Sequence, residues 1–105
     1  MPDKAILDKI LAAILKVIVP DKVILFGSQA RGTARPDSDY DILVIKSGIE
    51  NERKINQAIY RVMVDIDIPI GVDVIVKTPE NVEKNKKMTF SVVKEALEEG
   101  IVIYG

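Results

Sequence analysis

The residues able to do chemistry crowd into one stretch, Val23 to Lys46. An apolar run, Val23–Phe26, stops at Gly27-Ser28; Arg31 follows three residues later; Asp39 and Asp41 stand directly before a second apolar run, Ile42–Ile45. The first run reads as a buried strand, and Ser28 as the N-cap of a short helical turn over residues 29–31 that Gly32 can end. Backbone N–H groups at such a turn bind anions. Gly27 has no side chain to hold a phosphate off, the Ser28 hydroxyl can donate to it, and Arg31 can meet the same oxygens as a planar fork. In an extended segment Asp39 and Asp41 share one face, with Tyr40 and Ile42 on the other. Two carboxylates so close raise one another's proton affinity unless a divalent cation relieves them, and an all-oxygen set suits Mg²⁺ held together with substrate phosphates.

Competing chemistries fail on particular residues. Asp37, Asp39 and Asp41 imitate the opening of a calcium loop, but its sixth position is Ile42 and its twelfth Gly48, where glycine and a bidentate acid are needed. Ser28 is no nucleophile-elbow serine, because Phe-Gly-Ser-Gln-Ala lacks the second glycine. The chain contains neither histidine nor cysteine, which removes disulfides, the common zinc sets and every Ser-His-Asp or Cys-His arrangement. Arg35 reads as a solvated loop residue.

Gly27-Ser28, ten residues, then Asp39-Tyr40-Asp41 resembles the Gly-Ser-x10-Asp-x-Asp pattern of the DNA polymerase beta-like nucleotidyltransferases. Gly-Ser-Gln-Ala-Arg-Gly and Ser-Asp-Tyr-Asp look like the minimal branch of that superfamily, the MNT proteins paired with HEPN partners. The resemblance implies a nucleoside triphosphate, ATP, as substrate, with Gly27, Ser28 and Arg31 on its β- and γ-phosphates and two Mg²⁺ ions on Asp39 and Asp41. It also implies a third carboxylate. Asp73, which opens the apolar strand Val72–Val76, is the choice, with Asp65 and Asp67 as competitors. The implied reaction is Mg-dependent transfer of AMP to a hydroxyl, a tyrosine of a HEPN toxin, so that the protein serves as antitoxin. An antitoxin subunit that neutralises its partner by contact alone is the alternative, and transfer to an aminoglycoside-like small molecule a third. Larger relatives add a helical domain over base and acceptor, so a second protein or a second copy of this chain is expected to complete the substrate site.

The 105 residues are expected to form one domain, 1–105, with a modest core. Hydrophobic residues at 48% and charged ones at 30% place it among globular chains, and a formal charge of −1 gives no field to draw it to nucleic acid or an anionic membrane. Apolar stretches fall short of a membrane span and Asp3 stands where a signal peptide would be basic, so a cytoplasmic location is expected.

The elements that must position these residues follow from periodicity. Ile6, Leu7, Ile10, Leu11, Ile14, Val17 and Ile18 form a helical stripe capped by Asp3 and ended by Pro20. Pro36-Asp37-Ser38 reads as the turn into the second strand, which is apolar on both faces and therefore central in its sheet. A helix from Glu50 to about residue 66, a strand over Val72–Lys77 and a helix opened by Thr78-Pro79-Glu80 come next, with Lys84, Lys86 and Lys87 on a solvated face. A last helix, about Thr89–Glu99, is predicted to stack Phe90, Val93 and Leu97 and to close at Gly100, leaving a short strand at Ile101–Tyr104. The pattern is a mixed α/β fold of α+β type: about four strands flanked by helices, which by the resemblance is the nucleotidyltransferase fold.

Overall fold

Asp3 sets the first element in place, its Oδ1 accepting from the N–H groups of Ala5 at 2.8 Å and Ile6 at 3.4 Å. In the computed structural model, which describes residues 2–35, 37–89 and 91–105, this opens α1, Lys4–Val17. Then follow β1 (Lys22–Phe26), α2 (Ser28–Arg31), β2 (Tyr40–Ile45), α3 (Glu52–Val64), β3 (Val72–Lys77), α4 (Pro79–Asn85), α5 (Val92–Glu99) and β4 (Ile101–Tyr104).

The strands form one sheet in the order β3-β2-β1-β4, with β2 inside it as its two-sided apolarity requires. β1 runs antiparallel to β2 and β4, whereas β2 and β3 are parallel and joined through α3. α1 and α3 cover one face, where Ile10, Ile14 and Ile59 meet Val23, Leu25, Ile42, Val44 and Val74. On the other, Val82 of α4 and Val93 and Ala96 of α5 pack on Ile24, Phe26 and Leu43. Consecutive strand residues Ile42, Leu43 and Val44 are thus all buried. No helix among the described residues is long and apolar enough to cross a membrane.

Two elements depart from the sequence reading. α3 runs from Glu52, with Asn51 Oδ1 accepting from Lys54 N–H at 3.1 Å, and ends at Val64; Asp65 and Ile66 donate three residues back, to Val62 and Met63, tightening the last turn. α5 starts at Val92 rather than Thr89, because the Ser91 hydroxyl accepts from Val93 and Lys94 N–H and so captures the cap. Leu97, expected in its buried stack, is 41% exposed; Ala96, three residues after Val93, takes the sheet-facing place. Phe90 and Pro36, also given roles above, lie outside the described residues.

Candidate functional site

β1 hands over to α2 at Gly27, whose backbone (φ 75°, ψ −157°) lies in a region open essentially to glycine alone. Gly27, not Ser28, is the N-cap: its carbonyl accepts from Ala30 and Arg31 N–H at 3.1 Å each, and Ser28 is the first helical residue, with no side-chain cap bond. The turn begins one residue earlier than a serine cap would set it. It leaves the N–H groups of Ser28 and Gln29 without intrahelical acceptors at the end of β1. Gly32 closes α2 in the left-handed conformation. A Cβ on Gly27 would also run into Asp41 Oδ2, so the bare backbone is required on two counts.

Asp41 lies in β2 opposite Phe26 of β1 on one side and Asp73 of β3 on the other. Asp39 comes just before the strand, where Tyr40 N–H donates to Gly71 O at 3.0 Å and a Cβ on Gly71 would collide with Asp39 Oδ1. The sheet therefore brings Asp73 beside the pair, on the adjacent strand and in register. Asp65 instead caps α3 on the other face, and Asp67 offers its carbonyl to Lys9 Nζ at 2.6 Å. Tyr40 points away from the acids, its hydroxyl accepting from Asp3 N–H at 2.8 Å. Alternation along β2 has sorted acid from aromatic as the spacing predicts.

Asp39 and Asp73 are exposed and Asp41 is half-buried. Burial, followed by the charges of Asp73, Asp39 and Glu95, pushes the Asp41 carboxyl above its usual range, and Arg31 opposes them. As the side chains stand, no three acids among the described residues converge closely enough to hold a metal ion. The donor set itself, three hard carboxylates, two paired across β2 and β3 and one just before β2, with glycines where side chains would crowd two of them, is of the kind that suits Mg²⁺.

Arg31 is exposed and reaches across to α5, where its Nη1 lies 2.8 Å from Glu95 Oε1 and 3.2 Å from Glu99 Oε2. Hydrogen bonds donated to Glu99 and then to Glu95 hold the guanidinium still more firmly in its charged form. Sequence reasoning missed both glutamates. Their i, i+4 spacing put them on one helix face, but nothing local said which residue that face would meet. It also missed Gln29, which is 9% exposed and donates Nε2 to Ser38 O at 3.0 Å, tying α2 to the loop that delivers Asp39. Arg35 borders a cleft of about 310 Å³ with Asp3, Ile6, Gln29 and Tyr40, on the Tyr40 side of β2.

Among curated protein sequences none matches the chain at a significant level. The fold is similar to that of a Sulfolobus solfataricus protein solved as a candidate nucleotidyltransferase, at 22% identity and TM-score 0.63, covering 93% of this chain and 76% of that one. It is also similar to a chain in a toxin–antitoxin structure with AMP-PNP, at 21% identity and TM-score 0.58, covering 93% and 72%. The family profile described as "Nucleotidyltransferase domain" matches residues 6–103. Only a few residues at either end fall outside that match, and on it the chain belongs to the nucleotidyltransferase domain family.

Proposed function

We propose that the protein is a magnesium-dependent nucleotidyltransferase that moves AMP from ATP onto a hydroxyl acceptor, a tyrosine of a HEPN-type toxin partner, and acts in the cytoplasm as the antitoxin. The observation that carries this reading is the register of Asp73 beside Asp41, at the mouth of the side-chain-free turn at Gly27. The similarity to a toxin–antitoxin structure with AMP-PNP supports an adenine nucleotide as ligand and a toxin as partner.

In this reading the Gly27 turn admits the β- and γ-phosphates, Ser28 donates its hydroxyl to them and Arg31 neutralises their charge. Asp39, Asp41 and Asp73 would hold magnesium, which when bound supplies charge neutralisation at the phosphates and lowers the pKa of the acceptor hydroxyl. Asp73, exposed in β3, takes the proton of that hydroxyl as its oxygen bonds to the α-phosphorus. The bond from that phosphorus to the β-phosphate oxygen breaks in line, and pyrophosphate leaves. Positioning contributes most of the rate, because the chain offers no nucleophile of its own.

The test is transfer of labelled AMP to the purified partner, with and without Mg²⁺, for the native chain, Asp39→Asn and Asp73→Asn. Label that needs Mg²⁺ and is lost in both variants supports the reading. Label that never appears with any nucleotide, while the complex still forms and the toxin stays silent, makes the protein a contact-only antitoxin.

A further inference from the structure

Arg31 is attached to the molecule in a way that the reading above does not use. Its α-carbon ends a one-turn helix, which by itself gives a long side chain little support. The support comes from α5, 64 and 68 residues further along the chain. That helix is firmly seated: Val93 and Ala96 are buried against the sheet and Ser91 caps its start. Glu95 and Glu99, one turn apart, both take the same nitrogen, Nη1. A guanidinium has five N–H donors, two of them on Nη1. The remaining three, on Nη2 and Nε, have no acceptor among the described residues, and the edge they form is the one that meets a phosphate in bidentate fashion.

We propose that Glu95 and Glu99 are positioning residues for Arg31, holding its guanidinium by one corner and leaving the Nη2–Nε edge for a nucleoside triphosphate. The inference rests on the reading of Arg31 as a triphosphate ligand. An arginine left loose would surrender most of its rotamer freedom when a phosphate arrived; one already held by α5 has lost it on folding. The acids also place negative charge near an anionic ligand. Both carboxylates are partly exposed, so water and salt screen that repulsion, and the preorganised edge outweighs it.

Substitution separates geometry from charge. In the full chain, the affinity for AMP-PNP with Mg²⁺ is measured by calorimetry for Glu95→Ala/Glu99→Ala and Glu95→Gln/Glu99→Gln, each with Arg31 intact and with Arg31→Ala. The alanine pair is expected to weaken binding about tenfold, appearing in KM rather than kcat when transfer is followed. The glutamine pair, whose amide oxygens still accept from Nη1, is expected to stay within about threefold of native. Neither pair should shift the affinity further once Arg31 is gone. Melting curves report folding throughout, and exposed ion pairs contribute too little for their loss to unfold the chain. Native or tighter binding by the alanine pair overturns the inference alone, making the acids mere competitors. A native chain that binds no AMP-PNP overturns the nucleotide reading, and the inference with it.

Discussion

At the scale of single residues, Gly27 and Asp41 carry opposite liabilities. Gly27→Ala forces a side chain into a backbone region costing about 1–3 kcal/mol and drives it against the Asp41 carboxylate. Loss of stability in that range by denaturant titration, together with loss of nucleotide binding, is the expected outcome. Asp41 has its carboxyl raised by burial and by Asp73 and Asp39, so folding favours its protonated form. The sign follows: stability declines as pH rises from the ordinary aspartate value through the raised one, and that deficit persists at neutrality. Asp41→Asn is therefore expected to raise the neutral-pH melting temperature by about 1–3 °C while abolishing transfer. It should also erase any stabilisation of the native chain by added Mg²⁺, which differential scanning calorimetry will show. The turn at Gly27 and the shared face of Asp39 and Asp41 were legible because local spacing sets them, whereas the cap, read at Ser28, falls on Gly27. Gln29 and the partners of Arg31 were not, since a carbonyl nine residues away across a loop and a helix face near the end of the chain enter no local pattern.

Among the elements, the junction of α3, β3 and α4 is closed by one carboxylate. Glu52 Oε2 accepts from Thr78 N–H at 2.7 Å and Asn81 Nδ2 at 2.9 Å, with Lys77 Nζ 3.8 Å from its other oxygen. Burial pushes this carboxyl up, but the bonds from Asn81 and Thr78 and the charge of Lys77 outweigh it and leave it below the ordinary value. Its stabilising effect is accordingly present above the unfolded-state value and lost as pH falls through the lowered one. Glu52→Ala is expected to cost about 1–2 kcal/mol at neutral pH and to blunt the acid side of the stability profile, measured by urea unfolding across pH. The strand positions were readable from sequence almost to the residue, because runs such as Ile42–Ile45 are bounded by charge and glycine. Helix ends were less so. Thr89 and Ser91 both offer a capping hydroxyl, and only packing decides between them; Ala96 in place of Leu97 on the sheet side is likewise a matter of how near α5 approaches β1.

For the molecule as a whole, one sheet with helices on both faces was foreseeable from composition and element order, and so was the central place of β2. Its strand directions were not, since hydrophobic pattern does not distinguish parallel from antiparallel neighbours. Saturating ATP with Mg²⁺ is expected to stabilise the entire chain as a unit, by about 2.7 kcal/mol at a hundredfold excess over Kd, read as a single shifted melting transition. β2 and β3 are the sheet's parallel pair, aligned from Tyr40 with Val72 through Ile45 with Lys77. Were β3 to slide by a single position, Asp73 would swing round to the α3 side and Val72 or Val74 would take its place next to Asp41. The segment 65–71 that meters out the distance between α3 and β3 thus acts as a ruler for the acid row. Lengthening it by one residue is a way to silence the chemistry while sparing the architecture.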